Sequence, residues 1–216
     1  MKYKININLV QFVGIILFIM VVAVQGQESD KLPPGQRETG NFPILRIGEI
    51  PDLDRKSWSL KISGEVEHQV TWDWTAFSQL DTVHIQTPFH CVTGWSRVQN
   101  DWAGVLIQSI LKIVKPTDKA RYVTFKGADG YETSLAISEC TGPQDILGFS
   151  WEGQDLDKFK GGPIRAVIPG KYGFKSAMWL IEMKLTEEQE LGYWEKRGYS
   201  NSANPWKEER HQSSGD

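Results

Sequence analysis

Leu106, Ile107, Ile110, Leu111 and Val114 recur on one face at helical spacing, and Pro116 enforces a stop, which makes this the best helix in the chain. Trp58 to Ile62 alternates as a half-buried strand, and Gly64 with Glu65 turns it toward a second short strand over Val66 to Val70. Asp73 to Leu80 reads as a brief helix. Val83 and Ile85 alternate with His84 and Gln86 in a strand running into Pro88, which is expected to open the backbone just before Cys91. Tyr122 to Phe125 and Tyr131 to Leu135 flank Asp129-Gly130, a strong hairpin signal. Ala136 to Glu139 reads as a short helix ending at Gly142-Pro143. Further strands are expected at Ile146 to Trp151, Ile164 to Ile168 and Trp179 to Leu185. The fold class is α+β: one β-rich domain with a few short helices and no internal repeat.

The 216 residues suffice for one domain of roughly 150–190 residues after any leader. Lys2 and Lys4 precede an apolar stretch from Leu9 to Val24, and the chain then turns polar at Gln25. This pattern reads as an export signal over residues 1–26. A cleaved signal peptide and an uncleaved anchor both fit its length, and either places the remainder in the periplasm or on the outer face of the cytoplasmic membrane, with a membrane tether in the second case. Residues 27–41 are polar and Pro/Gly-rich and read as a linker. The domain then runs from 42 to 216, with a polar aromatic tail from Gly192. A net charge of -3 argues against a nucleic-acid partner, and nine Trp residues point to a crowded core and a deep pocket.

The only cysteines are Cys91 and Cys140, which an oxidising compartment could pair; their contexts point the other way. Cys140 reads as an inert, partly buried thiol. Cys91 lies in Phe89-His90-Cys91-Val92-Thr93-Gly94-Trp95-Ser96, where a thiol and an imidazole precede a glycine that lets backbone approach a ligand. Three readings of it compete. It could be a small apolar residue in a packed loop. It could be a nucleophile activated by His90, although adjacent side chains of an extended segment face opposite ways; His84 or His68 could supply a base instead. It could be a metal-bound thiolate, which needs no neighbouring base. The chain has no C-x-x-C and no H-x-x-x-H, so a metal on Cys91 would take its other donors from a cofactor, and a thiolate suits a soft, redox-active metal.

Three blocks resemble the sulfite-oxidase-type molybdopterin oxidoreductases, most closely the short relatives of bacterial periplasmic methionine sulfoxide reductase catalytic subunits. They are Cys91 to Ser96 with Trp102-Ala103-Gly104-Val105, Gly161 to Pro169 with Lys171 to Ala177, and Gly192 to Tyr199 with Asn204-Pro205-Trp206. The resemblance spans Phe42 to His211 and implies a Mo-molybdopterin cofactor with Cys91 as the protein ligand to molybdenum. It also implies cofactor contacts from Arg165 and Ser176. A guanidinium fork and a hydroxyl suit the pterin phosphate. Lys175 joins Arg165 in an expected electropositive rim, and His90 and Arg46 are weaker cofactor contacts. The implied reaction is oxygen-atom transfer to or from a small sulfur-containing or oxyanion substrate, a sulfoxide or sulfite. Electrons would be exchanged with a separate haem- or quinone-linked protein.

The chain departs from the reductase pattern in four places. Lys160 stands for an Asn near the cofactor, Met178 for a Lys and Thr93 for a Glu, and no Arg pair precedes Leu9. A non-catalytic exported binding module of the same fold, without the metal, is the alternative.

Overall fold

The structure, a computed structural model, describes residues 32–212, so the export segment lies outside the described residues. The elements run β1 (Arg37–Glu38), β2 (Ser59–Gly64), β3 (Val70–Asp73), α1 (Trp74–Phe77), β4 (Thr82–Cys91), β5 (Trp95–Leu106), α2 (Ile107–Val114), β6 (Tyr122–Gly127), β7 (Glu132–Ala136), β8 (Ile146–Trp151), β9 (Gln154–Asp155), β10 (Arg165–Val167) and β11 (Leu180–Thr186). Short 3₁₀ turns fill several connections. The α+β expectation holds.

The strands form two sheets. In the first, β1, β5, β8 and β10 are successive neighbours, with β4 on β5 and β9 on β8. The second runs β3-β2-β11-β6-β7, with β2 and β11 parallel and the other pairs antiparallel. One core joins both sheets and α2, whose Ile107, Ile110, Leu111 and Val114 are buried while Ile113 faces solvent. Trp58, Trp102 and Trp179 are fully buried, and the indoles of Trp58 and Trp179 donate to the carbonyls of Leu180 and Lys158. A buried indole otherwise leaves its N–H without a partner, a cost these two avoid.

Several boundaries differ from the sequence reading. The second strand begins at Val70 rather than Val66, because the backbone of Glu67 and His68 bonds to the chain leaving α2, not to a sheet neighbour. β4 passes through Pro88 instead of opening there. A register shift between Thr87 and Phe89 absorbs the missing proline N–H, which an edge strand tolerates. The segment read as a linker is part of the domain from Pro33 onward: Pro33 is buried, and Arg37 and Glu38 pair in parallel with Trp95 and Ser96 at the start of β5. Backbone pairing alone holds that strand, so its side chains carry no apolar signature.

Candidate active site

β4 and β5 form an antiparallel hairpin in which Cys91 pairs with Trp95 across the loop Val92-Thr93-Gly94. The Gly94 N–H donates to the Cys91 carbonyl at 3.0 Å, and Gly94 holds φ +95°, which a three-residue hairpin loop assigns to glycine. Cys91 is therefore the last residue of a strand, set by the turn. Strand alternation puts Phe89 and Cys91 on one face, packed with Trp95 and Phe42 in a small apolar cluster. His90 faces the other way and bonds Ser96 Oγ through Nδ1 at 2.7 Å. Burial lowers its pKa to about 4, so the imidazole is neutral at physiological pH.

Cys91 opens onto a cleft of about 980 Å³, counting space open to solvent. Phe42, Ile44, Leu45, Trp95, Phe174, Met178, Trp194 and Tyr199 make its lining largely apolar, and Arg46, Thr93, Asp129, Tyr131, Arg165 and Ser176 supply the polar groups. Of the residues expected from sequence, the fold brings Cys91, Arg165, Ser176 and Arg46 to this one cleft. His90 and Lys175 are not among its lining residues. Lys175 is a correction to the expected electropositive rim: it is fully buried, and its Nζ lies 2.5 Å from Glu195 Oε1 and 2.9 Å from the Ser134 carbonyl. Burial lowers the Lys175 pKa and Glu195 opposes that shift. Thr93 was read only as a departure from the reductase pattern, yet its Oγ1 lies 3.1 Å from Cys91 Sγ. Asp129 and Tyr131 read only as hairpin residues in the sequence; their place in the cleft depends on tertiary contacts such as that of the Tyr131 hydroxyl with the Phe174 carbonyl, which leave no local signal.

Arg165 is the electrostatic oddity of the cleft. It is 2% exposed and makes no carboxylate ion pair among the described residues. Its guanidinium donates to the carbonyls of Lys160 at 3.0 Å, Ser176 at 3.2 Å and Ala166 at 3.4 Å, and it lies 5.4 Å from the Phe89 ring centroid. Burial lowers its pKa to about 10, which leaves it charged at neutral pH. A buried charge balanced only by carbonyl dipoles and ring faces is suited to an incoming anion. Ser176 Oγ accepts from the Ile168 N–H, which leaves its hydroxyl proton available to a ligand. Among the described residues, no group of three or more His, Cys, Asp and Glu side chains could hold a metal ion. A metal at Cys91 therefore needs donors from elsewhere. The two cysteines are unpaired, and Cys140 is buried in the core with its thiol pKa raised by desolvation.

Residues 47–194 match the model of the oxidoreductase molybdopterin binding domain. The chain belongs to this sulfite-oxidase-type family and is a molybdopterin-dependent oxidoreductase. It is 32% identical over 187 residues to the uncharacterized oxidoreductase YuiH of Bacillus subtilis, covering 86% of this chain and 94% of that protein. It is 34% identical to the putative protein-methionine-sulfoxide reductase subunit YedZ1 of Azospira oryzae, over 70% of this chain and 58% of that one. Against the protein-methionine-sulfoxide reductase catalytic subunit MsrP of Burkholderia mallei the identity is 28%, over 76% of this chain and 54% of the relative. The chain thus spans little more than half the length of these two reductase relatives. The sulfane dehydrogenase SoxCD of Paracoccus pantotrophus shares the fold, with a TM-score of 0.61 at 16% identity over 69% of this chain and 42% of that one.

The residues present fit the cofactor. One residue with a soft donor atom lines the cleft, a buried cation held by carbonyls has room for an anionic group, and aromatic side chains flank a space suited to a flat heterocycle.

Proposed function

We propose that Cys91 is the protein ligand to molybdenum and that the enzyme catalyses oxygen-atom transfer to or from a sulfur compound outside the cytoplasmic membrane. The observation that carries the reading is that Cys91 lines a largely apolar cleft together with the buried Arg165, which has no carboxylate partner among the described residues. In this reading Arg165 and Ser176 hold the cofactor's phosphate end, and Arg46, exposed at the rim, supplies a further cation. His90 supports the hairpin from behind and does not touch the cofactor. When bound, the cofactor supplies a metal that exchanges an oxygen atom and two electrons with the substrate.

The chain's own residues orient and exclude. Phe89, Trp95 and Phe42 shield the Cys91 sulfur from water, and Thr93 Oγ1 steadies it. Around it the lining is apolar, with cations at Arg46 and Arg165 and a carboxyl at Asp129 whose pKa burial raises. That surface suits a neutral sulfoxide or thioether better than a small oxyanion, which would need several unshielded cations. Reduction of a sulfoxide consumes two electrons and two protons and releases water, so a separate haem- or quinone-linked protein exchanges the electrons. The apolar run from Leu9 to Val24 supports export or a membrane tether.

The test is metal analysis and absorption spectroscopy of protein made in a cofactor-competent host, beside Cys91→Ser. Wild type is expected to carry stoichiometric molybdenum and a thiolate-to-metal absorption band, and the variant to lose the band and the activity toward sulfoxides. A folded Cys91→Ser protein that keeps both would overturn the ligand role. Wild type without molybdenum would favour the binding module, and rapid alkylation abolishing a metal-independent activity would favour a cysteine hydrolase.

A further inference from the structure

The turn that carries Cys91 is gripped from behind by two side chains that lie outside the matched residues 47–194. Gln36 Nε2 donates to the Cys91 carbonyl at 3.1 Å. Arg210 Nη1 donates to the next carbonyl, that of Val92, while its Nη2 reaches the Gly35 carbonyl at 3.3 Å. The backbone repeats the pattern, with the Arg37 and Thr39 N–H groups on the carbonyls of Gly94 and Ser96.

The hydrogen-bond directions along this strap follow from one fixed point. A carbonyl only accepts, so Gln36 turns its amide nitrogen toward Cys91 and its oxygen toward Ser96. Ser96 Oγ, 3.1 Å away, therefore donates to Gln36 Oε1 and accepts on its other side. What it accepts is the N–H of His90 Nδ1 at 2.7 Å. His90, Ser96 and Gln36 form a one-way chain ending on the Cys91 carbonyl. Ser96 and His90 are buried, so water does not compete with it.

We infer that Gln36 and Arg210 are positioning residues that lock the Cys91 turn by its two carbonyls and so set the direction from which the Cys91 sulfur meets the metal. The inference rests on the proposed ligand role of Cys91. Groups one bond removed from a metal ligand fix its orientation, and their loss ordinarily weakens metal affinity or activity by roughly 10–100-fold. Here the grip acts through the ligand's own backbone.

The holoenzyme is compared as wild type, Gln36→Glu, Arg210→Ala and Arg210→Lys, reading the thiolate-to-molybdenum absorption band. Hydrogen exchange at the Gly94 amide is read in the cofactor-free proteins. Gln36→Glu keeps the shape and the acceptor for Ser96 but removes the donor to Cys91. It and Arg210→Ala each remove one donor to the turn, Arg210→Ala its contact to the Gly35 carbonyl as well, and are expected to shift the band and to speed Gly94 exchange by at least roughly fivefold. Arg210→Lys, which keeps the charge but not the fork, is expected to fall between wild type and Arg210→Ala. Leu60→Ala, a core truncation away from the turn, lowers stability and is expected to leave the band in place. A band present in wild type and abolished by Cys91→Ser, yet unmoved by Gln36→Glu and Arg210→Ala, would overturn the inference alone. A wild-type band indifferent to Cys91→Ser would overturn the ligand reading and the inference with it.

Discussion

Arg165 and Lys175 lie close in sequence, and both are buried cations, but the protein compensates them differently. Lys175 has a carboxylate partner in Glu195, and Thr133 Oγ1 and the Ser134 N–H donate to the same Glu195 oxygen, so the cluster is internally satisfied on that side. Arg165 has carbonyls and rings but no carboxylate among the described residues, which leaves it room for the anionic group proposed for it. Removing one member of a buried ion pair strands the other charge, so Lys175→Met is expected to destabilise the cofactor-free protein by about 3–5 kcal/mol, measured by urea denaturation. Lys175→Met with Glu195→Gln, which removes the stranded charge and keeps an acceptor for Thr133 and the Ser134 N–H, should recover a large part of that loss. If the double variant were no more stable than the single, the Lys175–Glu195 pair would not be the source of the cost. At this scale the sequence showed which residue types matter, and Cys91, Arg165, Ser176 and Arg46 do converge on one cleft. It did not show that Lys175 points into the core, because a lysine beside glycine and aromatic residues reads the same whether its amine meets solvent or a glutamate twenty residues further along the chain.

The β4–β5 hairpin is the element on which the site depends. Its geometry was partly legible: the alternation around Val83 and Ile85 and the glycine at 94 are local signals. The length of β5 was not, because Arg97 to Asn100 breaks the alternation and is held by pairing with β4. Gly94→Ala would place a side chain in a left-handed conformation and bring its Cβ to 3.2 Å from the Gly35 carbonyl, so a loss of about 1–2 kcal/mol is expected. Gly153→Ala is the control. Gly153 has φ +72° in the turn between β8 and β9 with open space around it and does not line the cleft, so it should show a similar loss of stability without loss of bound molybdenum. Equal molybdenum retention in the two variants would show that the Cys91 turn tolerates distortion. The helix was the most legible element of all, since α2 needs only its own residues to define an apolar face and a Pro116 stop.

Across the whole molecule, the cleft lining comes from parts of the chain as distant as Phe42 and Tyr199, so a ligand in it ties the two ends of the domain together. Binding to the folded state alone stabilises it by RT ln(1 + [L]/Kd), about 2.7 kcal/mol at a hundredfold excess over Kd. For a domain of this size the cofactor-free protein is therefore expected to melt roughly 5–10 °C below the loaded one in a calorimetric scan. Coincident melting would mean that the cofactor does not bridge these segments.

Periodicity, turn chemistry and the unusual Cys91 run were enough to define a β-rich α+β domain with a few short helices and to single out Cys91, the residue on which the proposed chemistry centres. These are properties of neighbours in the chain, and local sterics and alternation enforce them wherever the segment sits. The partner of Lys175, the folding of residues 33–41 into the sheet and the grip of Gln36 and Arg210 on the Cys91 turn were decided by tertiary structure. Each joins residues far apart in the chain or sets a side chain against a distant surface. Such contacts form only once the two sheets and the core have closed around them.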